Sequence, residues 1–195
     1  MNIANKLITI AQNEATINEK HNFLKSIISR SIDGEVTMPT DITFGNYAVA
    51  NCTKITKLIV QQYSHIGNAT NLFNGCTGIQ EVVWGAGAFM GTVFYGCTSL
   101  ETVNVINRIT STGSYAFTNC TALKNLTFGS TYLVNNNNVN FSSCPLTVES
   151  MLNLLNAFED NTGKTQYTVK LGSTNLANLT EEQKAIATNK NIDLA

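Results

Sequence analysis

The chain has 195 residues, of which 43% are hydrophobic and 13% are charged, with a formal net charge of -1. This apolar content is enough for a buried core and excludes a disordered chain, while the lack of any run approaching 18 apolar residues predicts no membrane insertion. Lys and Arg are few and well separated between Asp41 and Leu146, which argues against nucleic acid because phosphate binding needs clustered cations.

The first predicted element is a helical segment over residues 1–33. Apolar residues recur there at spacings of mostly three and four, at Ile3, Leu7, Ile10, Ile17, Leu24 and Ile28. This spacing indicates one amphipathic helix or two shorter ones, either capping the open end of the central part of the chain or forming a stem that makes an oligomer. The opening residues lack the apolar run of a signal peptide, which predicts no export by the general secretory route.

A repeat of 21 to 24 residues runs through the centre of the chain and is marked by Cys52, Cys76, Cys97, Cys120 and Cys144. The flanks align as YAVANCTKITKLIV, NLFNGCTGIQEVVW, TVFYGCTSLETVNV and YAFTNCTALKNLTF, with a degenerate fifth unit, VNFSSCPLT. Three residues before the cysteines stand Val49, Phe73, Phe94, Phe117 and Phe141. Each unit has too little apolar area to fold alone, so the units are predicted to stack around a shared core.

Each of the first four units is predicted to form one short strand. Apolar residues stand six and eight positions after the cysteine, at Leu58 and Val60, Val82 and Trp84, Val103 and Val105, and Leu126 and Phe128. A period of two indicates a strand with one buried face. Asn or Gly precedes each of these cysteines, which predicts a tight turn with unusual backbone angles.

These units resemble the BspA-like leucine-rich repeats of bacterial surface proteins, whose pattern is roughly Ile-Gly-x-x-Ala-Phe-x-x-Cys-x-x-Leu-x-x-Ile-x-Ile/Leu. The segments FGNYAVANC (44–52) and TGSYAFTNC (112–120) fit the pattern closely, whereas the units of Phe73 and Phe94 depart from it before the phenylalanine. The resemblance covers residues 42–146 and implies a solenoid of about four to five leucine-rich repeats.

The chain after the repeats, residues 147–195, is predicted to be an α/β unit that caps the other end. Residues 148–158 have a helical pattern, residues 166–171 and 192–194 read as strands, and Thr180 opens a capping box for a helix to about Thr188. The segment from Leu171 to Ala195 is similar to the unit that comes after such repeats in proteins of gut bacteria and their phages. The opening IANKLITIAQN resembles phage structural proteins that carry these repeats, which implies a virion or prophage setting.

No constellation in the sequence predicts an active site, and packing explains the cysteines better. One cysteine at a fixed place in each repeat is typical of small buried side chains in a column. Zinc needs four convergent ligands and no Cys-x-x-Cys pair occurs, while a nucleophilic thiol needs a base and only His21 and His65 are available. The sequence therefore predicts no enzyme, no metal and no cofactor.

The solvent side of the strands is the candidate binding surface. The residues that alternate with or flank the buried pairs should point outward, and they are Lys57, Ile59, Glu81, Val83, Thr102, Asn104, Asn125 and Thr127. Ile59 and Val83 are expected to be neighbours, and an apolar pair on a polar sheet is a mark of a contact site. The alternatives are that the N-terminal helix covers the pair, or that both are ordinary exposed apolar residues.

Together these features predict an α+β protein, with a leucine-rich-repeat solenoid between an N-terminal helical cap or stem and a C-terminal α/β cap. The predicted function is a non-enzymatic recognition or adhesion module that binds a protein or glycan on a cell surface through the sheet. The alternative is a structural virion component that contacts other virion proteins and forms a homo-oligomer through its N-terminal helix. Both place the protein at a cell surface or in a virion.

Overall fold

A computed structural model of the protein describes residues 33–38, 44, 46–62, 70–89, 91–109, 111–129 and 138–195. In chain order its elements are β1 (Gly34–Met38), β2 (Ile55–Val60), β3 (Glu81–Trp84), β4 (Ala88–Phe89), β5 (Thr102–Val105), β6 (Ser111–Thr112), β7 (Asn125–Phe128), β8 (Val139–Asn140), α1 (Val148–Ala157), β9 (Tyr167–Lys170), α2 (Ser173–Ala177), α3 (Glu181–Thr188) and β10 (Ile192–Leu194). The largest sheet has the order β1-β2-β3-β5-β7, and all its strand pairs are parallel.

The cysteine repeats contribute neighbouring strands of this sheet in register. Leu58 lies opposite Val82, Val82 opposite Val103, and Val103 opposite Leu126. These four side chains are at most 2% exposed, which confirms the predicted alternation. Phe128 departs from it, because this last residue of β7 is only partly buried against the core.

The sheet begins before the first cysteine repeat. β1 pairs with β2 and places Val36 beside Leu58 and Met38 beside Val60. Both β1 residues are buried, so β1 extends the same core. The cysteine spacing did not predict this strand, because its first recognised unit starts after it. Apart from Asp33, the segment predicted as an N-terminal helical cap lies outside the described residues.

Columns of equivalent side chains fill the core behind the sheet. Consecutive members of the column Phe73, Phe94, Phe117 and Phe141 have ring centroids 5.6, 5.8 and 5.2 Å apart. Trp84 reaches from β3 to this column, with its ring 5.2 Å from that of Phe94. All five cysteines are free and buried. The fixed positions of phenylalanine and cysteine in the repeat are packing positions, as predicted.

A left-handed backbone residue stands directly before each of the first four cysteines. Asn51, Gly75, Gly96 and Asn119 have φ angles of 61°, 70°, 74° and 62°. Glycine and asparagine enter this region at low cost, which accounts for their presence there. The turns also bond to one another, for example from the Gly75 amide to the Tyr95 carbonyl at 2.8 Å. The predicted tight turns are confirmed, and they form a second ladder beside the sheet.

Helix α1 covers the last strand of the sheet. The fifth unit keeps its phenylalanine and cysteine, but α1 stands where a further strand would come next and packs on β7. The Ser150 hydroxyl accepts a hydrogen bond from the Leu126 amide (2.9 Å), and the Asn153 side-chain amide donates to the Leu126 carbonyl (3.3 Å). The backbone groups of Leu126 in the edge strand β7 therefore hydrogen-bond to side chains of α1 and not to a further strand.

The predicted C-terminal helices and strands are confirmed within a residue or so of their bounds. β8 and β10 flank β9 in a parallel sheet, so β8 of the fifth unit joins this sheet and not the repeat sheet. α3 begins with the predicted capping box between Thr180 and Gln183, while the short helix α2 was not predicted. The Lys190 ammonium donates to the carbonyls of Leu155 and Phe158 (3.0 and 2.7 Å) and joins this unit to the end of α1.

Candidate recognition surface

The outward side of the repeat sheet presents two columns of side chains, called here the strand face. The first column is Glu35, Lys57, Glu81, Thr102 and Asn125, and the second is Thr37, Ile59, Val83, Asn104 and Thr127. All eight residues predicted to point outward lie in these columns. Asn125 and Thr127 are exposed and the other six are partly exposed.

The structure adds two residues that the sequence reasoning missed. Glu35 and Thr37 come from β1 and stand beside Lys57 and Ile59 in the register of the sheet. The signal that could have revealed them is the alternation in Val36-Thr37-Met38, which repeats the apolar-polar-apolar pattern of the later strands. The strand face therefore spans five strands and not four.

A charged cluster occupies the β1 end of the first column. The Lys57 ammonium lies 3.5 Å from a Glu35 carboxylate oxygen and 3.6 Å from a Glu81 carboxylate oxygen. The three side chains are 34 to 57% exposed, so these ion pairs add little to stability. Their effect is to hold one cation between two carboxylates on the surface, which leaves the cluster with a net negative charge.

The β7 end of the strand face is polar and uncharged. The Thr127 hydroxyl donates to the Asn104 side-chain oxygen (2.7 Å), and the Asn104 amide donates to a Glu81 carboxylate oxygen (3.4 Å). The Asn125 amide donates to the Thr102 hydroxyl (3.4 Å). These bonds run along the stack, so neighbouring repeats orient each other's outward side chains.

The apolar pair lies in the second column, on the same two strands as Lys57 and Glu81. Ile59 and Val83 face each other across β2 and β3, and both are partly exposed. Within the second column their neighbours are Thr37 on one side and Asn104 on the other. The described residues therefore place a small apolar patch directly beside the charged cluster of Lys57.

The cysteine column has properties opposite to those of a catalytic thiol. Burial raises the pKa of the Cys97 and Cys144 thiols to about 12, and it also raises the pKa of Cys120. A hydrogen bond with the Cys52 thiol, together with burial, raises the pKa of Cys76. These four thiols stay protonated at neutral pH, and only a thiolate is a good nucleophile or metal ligand.

The structure brings no histidine to these thiols within its described part, since His21 and His65 lie outside it. Among the described residues no group of three or more His, Cys, Asp or Glu side chains is placed to hold a metal ion. None of the helices in the described ranges has both the length and the apolar character needed to cross a bilayer.

Parallel strands from successive short repeats, stacked in register over columns of buried side chains, define the class of protein: they fit a repeat solenoid. The chain belongs to the BspA-type leucine-rich repeat family. The model of the BspA type leucine rich repeat region matches residues 3–88 and 87–179, with six copies. The matched residues extend beyond 42–146 at both ends, and six copies exceed the four to five predicted. Comparisons with curated proteins and with solved structures gave no match.

Membership of this family bears on the kind of activity to expect. Leucine-rich repeats are in general non-enzymatic scaffolds that mediate protein interactions, and the BspA type suggests a protein-binding or adhesion module.

Proposed function

We propose that the protein is a recognition or adhesion module that binds a protein on a cell surface through its strand face. The observation that carries this proposal is the Ile59–Val83 pair, which lies partly exposed beside the charged cluster of Lys57. An apolar centre with a polar border is the usual composition of a protein interface.

The apolar pair supplies the contact energy. Burying apolar area on association is favourable by about 25 cal/mol per Å², and a few central residues usually dominate the affinity. Ile59 and Val83 are adjacent on rigid strands, so a partner side chain that covers one also covers the other. These two strands lose little conformational entropy on binding, because both are already hydrogen-bonded within the sheet.

The charged cluster supplies selectivity. Lys57 lies between Glu35 and Glu81, so the cluster favours a partner with a complementary basic group and disfavours an acidic one. A neutral sugar offers no charge to such a cluster, and the branched side chains of Ile59 and Val83 have no flat ring on which the C–H face of a pyranose could stack. Of the two partner classes considered from the sequence, a protein is therefore the better match for the strand face.

The test is a binding measurement on the full chain carrying both Ile59→Asp and Val83→Asp. A panel of immobilised extracellular proteins is probed with the wild type and with this variant, and we expect every interaction of the wild type to weaken at least tenfold. The matched control carries Thr165→Asp and Thr174→Asp, which add the same charge at exposed sites of the C-terminal unit. Unchanged binding by the strand-face variant would refute this surface.

The alternative of a virion component that oligomerises through an N-terminal helix concerns residues outside the described ranges. Light scattering on the full chain and on a chain starting at Asp33 tests it directly. A monomer in both cases would remove the stem.

A further inference from the structure

Exposed tyrosines mark a second surface, on the side of the repeats where the turns lie. Tyr47, Tyr95 and Tyr115 are 47%, 36% and 59% exposed, and they account for three of the five large apolar side chains exposed in the described parts of the chain. They belong to the turns before the cysteines. We call the exposed side chains of residues 46–53, 70–77, 91–98 and 113–121 the turn face.

The turn face carries no charged residue. Its four segments read NYAVANCT, TNLFNGCT, GTVFYGCT and GSYAFTNCT, in which the exposed positions are mostly Asn, Thr, Ser, Gly and Tyr. The strand face of the same repeats contains Glu35, Lys57 and Glu81. The described charged residues of the repeats thus lie outside these four segments, and the turn face has no charged side chain with which to attract a charged partner.

The turn face is also regular along the stack. Tyr47, Asn71, Thr92 and Tyr115 occupy the same position, five residues before the cysteine, in four successive repeats. The Thr92 hydroxyl donates to the Asn71 side-chain oxygen and the Thr92 backbone amide donates to the Thr70 carbonyl (2.8 Å), which links neighbouring turns. Backbones paired in this way are about 4.8 Å apart, so Tyr47 and Tyr115 stand about 14 Å apart along the axis.

The third tyrosine lies between these two along the stack and is hydrogen-bonded to the next repeat. The Tyr95 hydroxyl accepts a hydrogen bond from the Asn119 side-chain amide of the next repeat (3.1 Å). This bond restricts the Tyr95 side chain, which reduces the conformational entropy that is lost when a ligand covers its ring.

Tyr47 has an unusual backbone. Its φ is 60°, in the left-handed region that a bulky side chain occupies at a cost and that asparagine or glycine would occupy more cheaply. The backbone conformation of this turn therefore does not account for the presence of a tyrosine at position 47. Strained positions of this kind are concentrated at functional sites, which makes the exposed ring of Tyr47 a candidate contact.

We propose that the turn face binds an extended, uncharged polysaccharide of β-1,4-linked sugars lying along the stack. The sugars of such a chain recur at about the spacing of the turns, so each repeat offers its polar groups to one sugar. Tyrosine rings pack against the C–H faces of pyranose rings, and Asn and Thr side chains bond to the hydroxyls. A protein surface without such a repeat would match one turn at a time and not the whole row, which favours a polymer over a protein on this face.

The experiment is affinity gel electrophoresis of the full chain in gels containing hydroxyethylcellulose or galactomannan, with dextran as the polymer of different linkage. We expect retardation by at least one of the two β-1,4-linked polymers, little by dextran, and no dependence on salt. Tyr115→Ala and Tyr47→Asn should each weaken binding about threefold to tenfold, whereas Tyr115→Phe should stay within about twofold of the wild type. Thermal unfolding of each variant verifies that the fold is kept, and Tyr47→Asn should be no less stable than the wild type.

Ile59→Asp with Val83→Asp separates this inference from the proposed function, because that variant should be retarded like the wild type. The inference is overturned if neither β-1,4-linked polymer retards the protein or if dextran retards it equally. It is also overturned if the tyrosine variants bind as the wild type does, or if the strand-face variant is the one that loses retardation. Binding to proteins alone, abolished by the tyrosine variants, would assign the turn face to a protein partner instead.

Discussion

The thiol of Cys97 donates a hydrogen bond to the carbonyl oxygen of Phe73, 3.2 Å away and 24 residues earlier in the chain. Cys76, Cys120 and Cys144 make the same bond to the preceding repeat, at 3.1, 3.1 and 3.4 Å. The accepting residue always stands three positions before the previous cysteine. A single residue type thus fills the core and joins one repeat to the next, which a buried thiol can do without the desolvation penalty of a stronger polar group.

The raised thiol pKa values predict a loss of stability in alkaline solution. The pKa of Cys97 is about 12 in the folded protein against an ordinary value of 9.0, so between these two pH values the unfolded chain loses a proton that the folded chain keeps. The stabilisation that the folded state gains by keeping this thiol protonated is complete below pH 9. It is lost as the pH rises to 12, at about 1.4 kcal/mol per pH unit for each such thiol. Urea denaturation of the wild type at pH 8 and at about pH 10.5 measures the decline.

Cys97→Ala is the matched variant for this measurement. We expect it to be less stable at neutral pH, because a buried side chain is truncated. Above pH 9 the free energy of unfolding of this variant should fall less steeply than that of the wild type, by about 1.4 kcal/mol per pH unit, since one titrating thiol is gone. Identical slopes for the two proteins would show that Cys97 does not keep its proton when folded.

The left-handed turn residues predict which substitutions Gly96 accepts. Its φ is 74°, close to that of Asn119 one repeat later, and an added Cβ would meet nothing nearer than 4.0 Å. Gly96→Asn should therefore change the free energy of unfolding by no more than about 0.5 kcal/mol. Gly96→Val should cost about 1–3 kcal/mol through backbone strain alone. Equal stability of the two variants in urea would contradict the conformation described for this turn.

The sheet edge predicts a role for a serine in α1. Ser150 is 3% exposed and its hydroxyl accepts the hydrogen bond of the Leu126 amide. Ser150→Ala leaves a buried amide without a partner and should cost about 1–3 kcal/mol. Ser173→Ala, at an exposed position of α2, is the control and should cost under about 0.5 kcal/mol. A Ser150 variant as stable as the control would mean that α1 does not close this edge.

The sequence was informative where the physical signal repeats. Four strands with their buried pairs were predicted because an apolar period of two recurs at a fixed distance from each cysteine, as at Leu58 and Val60. β1 was missed because no recognised cysteine unit precedes it. The C-terminal unit was predicted to cap this end of the repeats, but the contact of α1 in particular with β7 was not, because local patterns do not say which tertiary surface a helix covers.

The binding surfaces were predictable to different degrees. The strand face can be deduced from alternation alone, and all eight predicted residues point outward from the sheet. The turn face escaped notice because its tyrosines stand at two different positions of the repeat, five residues before the cysteine at Tyr47 and Tyr115 and two before it at Tyr95. The signal available in the sequence was the absence of charge from all four turn segments.

Adjacent residues of β3 test the central claim most directly, namely that each repeat turns one side of its strand to the core and the other to solvent. Val82 is fully buried and Val83 is partly exposed on the strand face. Urea denaturation of Val82→Asp and of Val83→Asp compares the two sides with the same change of residue. We expect the free energy of unfolding of Val83→Asp to stay within about 1 kcal/mol of the wild type, while Val82→Asp loses several kcal/mol or does not fold. Equal losses in the two variants, or a greater loss for Val83→Asp, would contradict it.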